Sequence, residues 1–316
     1  MTVWKPLSND KFGLIKSVND FILKLEINRE ISFPNFLKTE KLYFFSDYGG
    51  EHKDADFISY AFLITDLESV LNFTYYHPQL LDSLNLSNRI ISYKKLNDKL
   101  RMKALYPFLE FSNNINGIIF VLLVEKSIST LFESQFQKER LNDYSKWKSF
   151  DFEKLMRVIH FISLFISGLS QPMQDICWIS DEDNIVVNDE KLITITEMLA
   201  NVSSHYLTHS LNKLQCGRAN IEIGKNFEAL CSIPDLCAGA ITDLLTYYSS
   251  NDIFPDSKVI VPTKKDTKTK INQIIYWFMN NNHNLKKVCF SITDDKSDRY
   301  ILSHLRFHNL YNYLGL

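Results

Sequence analysis

The most constraining stretch is Leu42-Tyr43-Phe44-Phe45-Ser46-Asp47-Tyr48-Gly49-Gly50-Glu51. Its run of aromatic and aliphatic residues predicts a buried strand. Asp47 stands at the end of that strand. An ionised carboxylate in such a place needs a cation, a metal or hydrogen bonds to offset its desolvation. Gly49 and Gly50 let the chain turn sharply or let another group approach its backbone closely. A second apolar run at residues 56–64 follows a short polar loop, and the two runs together predict a hairpin.

Helical spacing recurs on both sides of this hairpin. Phe12, Ile15, Val18, Ile22 and Leu25 precede it, and Pro34 breaks their pattern. Residues 66–86 fit neither period and are interrupted at Pro78, whereas 96–111 predict a helix. Residues 115–124 read as a third strand, buried on both faces. Phe152, Leu155, Ile159, Ile162, Ile166 and Leu169 then follow the i, i+3, i+4, i+7 rule, with Gly168 and Pro172 as the stop. A fourth strand at 174–181 ends in Asp181, Glu182 and Asp183. A helix at 190–206 and a fifth strand at 214–223 follow. Pro234 is expected at a helix start, the helix running over 235–248. A lysine-rich helix at 264–279 and a strand at 287–292 close the series. Three strands followed by alternating helices and strands predict an α/β fold with a mixed sheet flanked by helices. Residues 1–40 are expected as an N-terminal helical extension, 41–250 as the core, and 251–316 as a C-terminal α/β extension.

Composition narrows the function. The 316 residues allow one large domain or two ordinary ones. A formal net charge of −2 does not mark a nucleic-acid binder by itself, although a local basic groove is compatible with it. The five cysteines show no metal-type spacing. Their odd number and the lack of a leader-like segment predict reduced thiols in a cytoplasm. The apolar runs at 117–124 and 158–166 are too short to span a bilayer, so no membrane association is expected. Neither a Gly-rich phosphate loop nor a Gly-x-Ser-x-Gly elbow occurs.

The chemistry-bearing residues are carboxylates. If the first and fourth strands are neighbours, Asp47 and Asp181 meet at the sheet's edge, with Asp183 on the same face as Asp181. Two carboxylates held together raise each other's pKa unless a divalent cation neutralises them. Oxygen-rich clusters suit Mg²⁺ or Mn²⁺, and such ions can activate water for phosphodiester hydrolysis. The competing reading of 181–183 is a solvated turn. Asp235, Gly239 and Asp243 form one helical stripe at i, i+4 and i+8, and small neighbours permit close approach of that helix to the sheet. Asp235 is read alternatively as a charge at a helix start. Lys94, Lys95, Lys99 and Arg101 could line a nucleic-acid groove or a solvated helix face.

Taken together, Phe-Phe-Ser-Asp47, Trp-Ile-Ser-Asp181 and Pro234-Asp235-Leu-Cys-Ala-Gly239-Ala resemble a microbial family of ribonuclease H-like proteins. Its first strand usually ends Asp-Glu-Ser-Gly, and a late helix carries Ala-Asp-Leu followed by Ala-Gly. The resemblance covers roughly residues 41–249, and the order of elements agrees with it. It implies a ribonuclease H-like mixed sheet with additional helical elements. It also implies Asp47, Asp181 and Asp235 as metal ligands and catalytic residues of a metal-dependent nuclease, and a role in defence against phage or mobile DNA. The departures also carry weight. Tyr48-Gly49-Gly50-Glu51 rebuilds the turn and makes Glu51 a candidate for a displaced carboxylate. The acidic residue expected on the first long helix has no clear equivalent. Glu153, the nearest candidate, lies on that helix's polar side and is expected as a solvated surface glutamate. These departures sustain a second expectation, a catalytically inactive interaction module acting with a protein partner or as a homodimer.

Overall fold

The computed structural model describes residues 2–7, 13–87, 89–132, 147–180, 185, 189–219, 225–251, 258–262, 268–280, 282–297 and 299–308. Its elements run α1 (Gly13–Ile27), β1 (Lys41–Gly49), β2 (Phe57–Asp66), α2 (Leu67–Ser83), α3 (Lys99–Ser112), β3 (Gly117–Glu125), α4 (Ser149–Leu169), β4 (Asp175–Ser180) and α5 (Asp189–Tyr206). They continue with β5 (Lys213–Arg218), α6 (Lys225–Ser250), β6 (Val259–Ile260), α7 (Thr269–Met279), β7 (Leu285–Asp294), β8 (Tyr300–His304) and β9 (Arg306–Phe307).

Seven strands form one mixed sheet in the order β5-β4-β1-β2-β3-β7-β8. β1 pairs in parallel with β4 and antiparallel with β2, and β3 pairs in parallel with β7. The expected hairpin is therefore present, and the condition that the first and fourth strands be neighbours is met. The alternation of side chains sends Leu42 and Phe44 into one apolar layer with α1, α4 and α5. Tyr43 and Phe45 enter the opposite layer with α2, α3, α6 and α7. Segments flanking 41–250 join the same layers: Trp4 and α1 lie in the first, and β7 and β8 extend the sheet. Beyond these, β6 and β9 form a separate two-stranded pair.

The stretch at 66–86 that fits neither period forms α2, because Asp66 caps it by accepting from the Ser69 amide at 2.8 Å. Asp98 caps α3 in the same way, through the Leu100 and Arg101 amides at 2.9 and 3.0 Å. Within α4, residues 152–169 are buried apart from His160, so this helix is covered on nearly every side. Gly168 leaves room there for the Trp4 indole, which a Cβ would meet at 2.7 Å.

One expected boundary is corrected. Pro234 does not start a helix but sits inside α6, which begins at Lys225. A proline within a helix removes one hydrogen bond and costs about 3 kcal/mol. Phe227, Leu230, Cys231 and Ile233, all N-terminal to the proline, are buried. Each apolar side chain of that size contributes about 1.5–3 kcal/mol on burial, so packing prevails over the local rule. By length and composition Phe227–Ser250 could cross a membrane, but 78% of its apolar window is buried inside the fold.

His160 reports how dry the α4 layer is. Its Nδ1 lies 2.6 Å from the Tyr206 hydroxyl, and its ring stacks on Phe132 at 4.2 Å. Burial lowers its pKa from 6.5 to about 4, against the opposing pull of Glu153. The unfolded chain thus binds a proton here that the folded chain refuses. This contribution is complete above the unfolded pKa and is lost as pH falls from 6.5 towards 4. It amounts to about 3 kcal/mol. His160→Gln is expected to flatten the acid limb of stability. Urea midpoints at pH 4.5 and pH 7 that differ as much in the variant as in the parent would contradict this.

Candidate functional site at the carboxyl ends of the parallel strands

β1 and β4 finish side by side, their paired register ending at Ser46↔Ser180. Asp47 is the next residue of β1 and pairs across to Ala61 of β2. It shares the face of Phe45, which packs with α6. The Tyr48 amide donates to Asp47 Oδ1 at 2.6 Å, so a backbone donor meets part of the carboxylate's demand. Asp181, which follows Ser180, lies outside the described residues, as do Glu182 and Asp183.

The two glycines behind Asp47 have separate tasks. Gly50 has φ +85°, and a Cβ there would lie 2.0 Å from the Phe57 carbonyl oxygen. Only glycine adopts that turn without strain. Gly49 makes room for α6 itself, since a Cβ would come within 3.3 Å of the Ala238 backbone. Hydrogen bonds fix this seat: Ser59 Oγ donates to the Ala238 carbonyl at 3.2 Å, and Thr242 Oγ1 donates to Ser59 Oγ at 2.9 Å.

The stripe of Asp235, Gly239 and Asp243 is present on α6, and it has a partner that the sequence does not announce. It holds Tyr93, in a 3₁₀ turn at Tyr93–Lys95. Asp235 Oδ2 accepts from the Tyr93 amide at 2.6 Å, and Asp243 Oδ2 accepts from the Tyr93 hydroxyl at 2.6 Å. Gly239 faces the ring between them, where a Cβ would meet the ring atoms at 2.3 Å. Lys270 lies 3.7 Å from the ring centroid and donates to the Tyr93 carbonyl at 3.2 Å. Burial, followed by the Asp243 carboxylate, pushes the Tyr93 hydroxyl far above its ordinary pKa, so it remains a donor. Asp235 is half-buried in the middle of α6, so the helix-start account of its charge does not hold. Gly239 brings α6 against Tyr93, whereas Ala238 is the residue whose backbone meets the sheet.

The opposite face of the same edge carries paired charges. Lys154 of α4 is 4% exposed and donates to Glu51 Oε1 at 2.6 Å. Its ammonium also lies 4.6 Å from the Tyr48 ring centroid. Tyr48 in turn contacts Ser46 Oγ at 2.8 Å, and the same oxygen accepts from Trp178 Nε1 at 2.8 Å. Glu153 is not the solvated residue that helical periodicity predicts. It is 7% exposed, and its Oε1 accepts from Arg157 Nε and the Leu131 amide, each at 2.8 Å. The loop after β3 covers the expected polar side, held by Arg157 donating to the Ile128 and Ser129 carbonyls at 2.9 and 3.3 Å. Lys94, Lys95 and Lys99 are exposed, whereas Arg101 donates to the Ile90 carbonyl at 2.9 Å and approaches Asp98.

Carboxylate oxygens are the donor type that Mg²⁺ or Mn²⁺ prefers. Among the described residues no three His, Cys, Asp or Glu side chains are grouped to hold one ion. Of the ion-binding set expected from the sequence, Asp181 lies outside the described residues. Sequence reasoning missed Tyr93, Lys154 and Arg157. For the last two a signal existed: charged residues within an otherwise apolar helix must find partners when the helix is buried. No family model and no curated protein matches the chain.

The grip on Tyr93 makes a direct prediction. Gly239→Ala should displace the ring and destabilise the fold by about 1–3 kcal/mol. In a Tyr93→Ala background the same substitution should cost much less, because its obstacle is gone. A double-mutant cycle measured by urea unfolding decides, and strictly additive losses would refute the contact as the cause.

Proposed function

We propose that this chain is a metal-dependent nuclease with a ribonuclease H-like core. Mg²⁺ or Mn²⁺ would be held by Asp47 and Asp181, with Asp235 on the facing helix. The observation that carries this reading is the register of β1 and β4. It ends one residue before each of two aspartates, on parallel strands that are direct neighbours. The sheet supports it too: β1, β2 and β3 form an antiparallel meander, and β4 and β5 add in parallel beside β1. The helices α4, α5 and α6 follow β3, β4 and β5 in turn. The bound ion would supply an activated water and charge neutralisation at phosphorus. Asp47, steadied by the Tyr48 amide, would orient the ion, while the bond from Asp235 to the Tyr93 amide fixes that carboxylate's direction. Lys94 and Lys95, exposed beside the gripped Tyr93, would contact the phosphate backbone. A cytoplasmic role in defence against phage or mobile DNA belongs to the same proposal.

A second reading, an inactive module working with a protein partner or as a homodimer, is favoured by α4. That helix brings Lys154 to the strand ends and commits Glu153 to Arg157. The test is cleavage of single-stranded DNA, duplex DNA, RNA and hybrid in Mn²⁺. Asp47→Asn is expected to abolish cation-dependent cleavage, a loss of 10²-fold or more, with an unchanged circular dichroism spectrum. Equal cleavage by the variant removes Asp47 from the site. A parent inert on every substrate, with a melting temperature indifferent to millimolar Mn²⁺, selects the second reading.

A further inference from the structure

We propose that the outer face of α2 is a docking surface for a partner protein. The segment it takes is an amphipathic helix with lysine or arginine at both ends and an aromatic residue on its apolar stripe. Glu68, Leu71, Tyr75, Pro78 and Asp82 recur at the spacing of one helical stripe, and all five are exposed. Leu71 is 57% exposed, Tyr75 68% and Tyr76 51%. Among the described residues twelve large apolar side chains are exposed, and these three fall within six residues of one helix. Single exposed apolar residues are ordinary, whereas a contiguous set marks an interaction site.

The charges decide what covers this stripe. α2 carries no lysine or arginine, and its two carboxylates stand at the two ends of the stripe. Among the described residues neither has an ion-pair partner. Glu68 lies in the first turn, where the helix dipole favours it. Asp82 lies in the last turn, where the same dipole opposes it, and it accepts from the Ser87 hydroxyl, a neutral donor, at 2.5 Å. The two carboxylates stand about 21 Å apart along the axis. Complementarity then calls for cations about 14 residues apart on a partner helix. A second copy of α2 does not fit. Packed antiparallel it sets Glu68 against Asp82, and packed parallel in register it sets each against itself, like charges in both cases. A nucleic-acid strand is repelled for the same reason.

A cavity of about 510 Å³ flanks the stripe and receives the aromatic anchor. Phe73, Tyr76, Phe111 and Ile115 line it, with Asn72 and Asn114 offering amide groups. Among the described residues no charged side chain belongs to the lining. Such a volume admits an aromatic side chain, and anchors of that kind carry much of the binding energy where a helix lies in a groove. Tyr76 belongs both to the cavity and to the exposed face. Its ring meets that of Tyr75 edge-on at 4.8 Å, so the two rings hold each other before a partner arrives. α2 follows β2 at Asp66, which pairs with Leu42 at the opposite end of β1 from Asp47. The docking surface is therefore separate from the proposed nuclease centre and does not depend on it.

Fluorescence anisotropy with a labelled synthetic helix of about 20 residues tests it. The probe carries leucines and one tryptophan on one face and lysines at both ends. One control carries glutamates at those ends, and another carries alanine in place of the tryptophan. The lysine-ended peptide is expected to bind with a Kd of about 10 µM or tighter, and the glutamate-ended one about tenfold more weakly or worse. Loss of the tryptophan should weaken binding several-fold. Leu71→Ser combined with Tyr75→Ser should weaken it about tenfold or more with an unchanged melting temperature, because both positions are exposed. Glu68→Lys combined with Asp82→Lys should reverse the preference, so that the glutamate-ended peptide binds better. Asp47→Asn should bind the probe as the parent does. Equal binding of the two charge forms overturns the assignment. So does an affinity unmoved by Leu71→Ser with Tyr75→Ser, or no binding of the lysine-ended peptide up to about 1 mM. A dimer in sedimentation that the same two serine substitutions dissolve also overturns it, since the face then belongs to a second copy.

Discussion

The whole edge depends on β1 being hydrogen-bonded on both sides. A strand paired with β2 on one flank and β4 on the other cannot slip, because one residue of slip would exchange its two faces. That would move Phe44 out of one apolar layer and Phe45 out of the other. The position of Asp47 is therefore a consequence of buried aromatics several residues away. The same pairing sends Tyr48 to the α4 side, where it meets Lys154. Two chemically different surfaces thus leave one strand end: acceptors toward α6 and matched ion pairs toward α4.

The ion pairs are best understood as fasteners for loops. Glu51 belongs to the hairpin loop, and the carbonyls of Ile128 and Ser129 to the loop after β3. Each is tied to a charged residue of α4 whose side chain is almost entirely buried. Breaking one partner of such a pair strands the other charge, at a typical cost of about 3–5 kcal/mol. The loops consequently inherit the rigidity of the most enclosed helix in the molecule.

Much of this was readable from the chain, for identifiable reasons. The hairpin, the third strand and α4 announce themselves because their apolar residues follow the period of the element. The adjacency of β1 and β4 was a condition that the sequence could pose but not decide, because strand pairing between distant segments has no local signal. The beginning of α6 was not legible, since a proline is a local signal and the burial of Phe227 to Ile233 is a tertiary one. Glu153 was misjudged because helical period identifies a polar side but not the loop that covers it. Tyr93 had no sequence signal, since its partners on α6 lie 142 and 150 residues away. Tyr48 and Glu51, on either side of the glycine turn, are both met by Lys154 of α4, so the turn and that helix are packed as one unit.

The partnership of β3 with β7 has a consequence for synthesis. Ile118 to Val124 form a wholly buried, charge-free strand whose second flank is filled by Leu285 to Ile292. While the chain is being made, that flank has no partner until the much later segment appears. An apolar strand with an open edge is a template for pairing with other chains. The nascent protein therefore passes through an interval in which its core is in place but self-association is unguarded. Slow translation across the region before β7 would lengthen that interval, and a chaperone that masks β3 would shorten its effect.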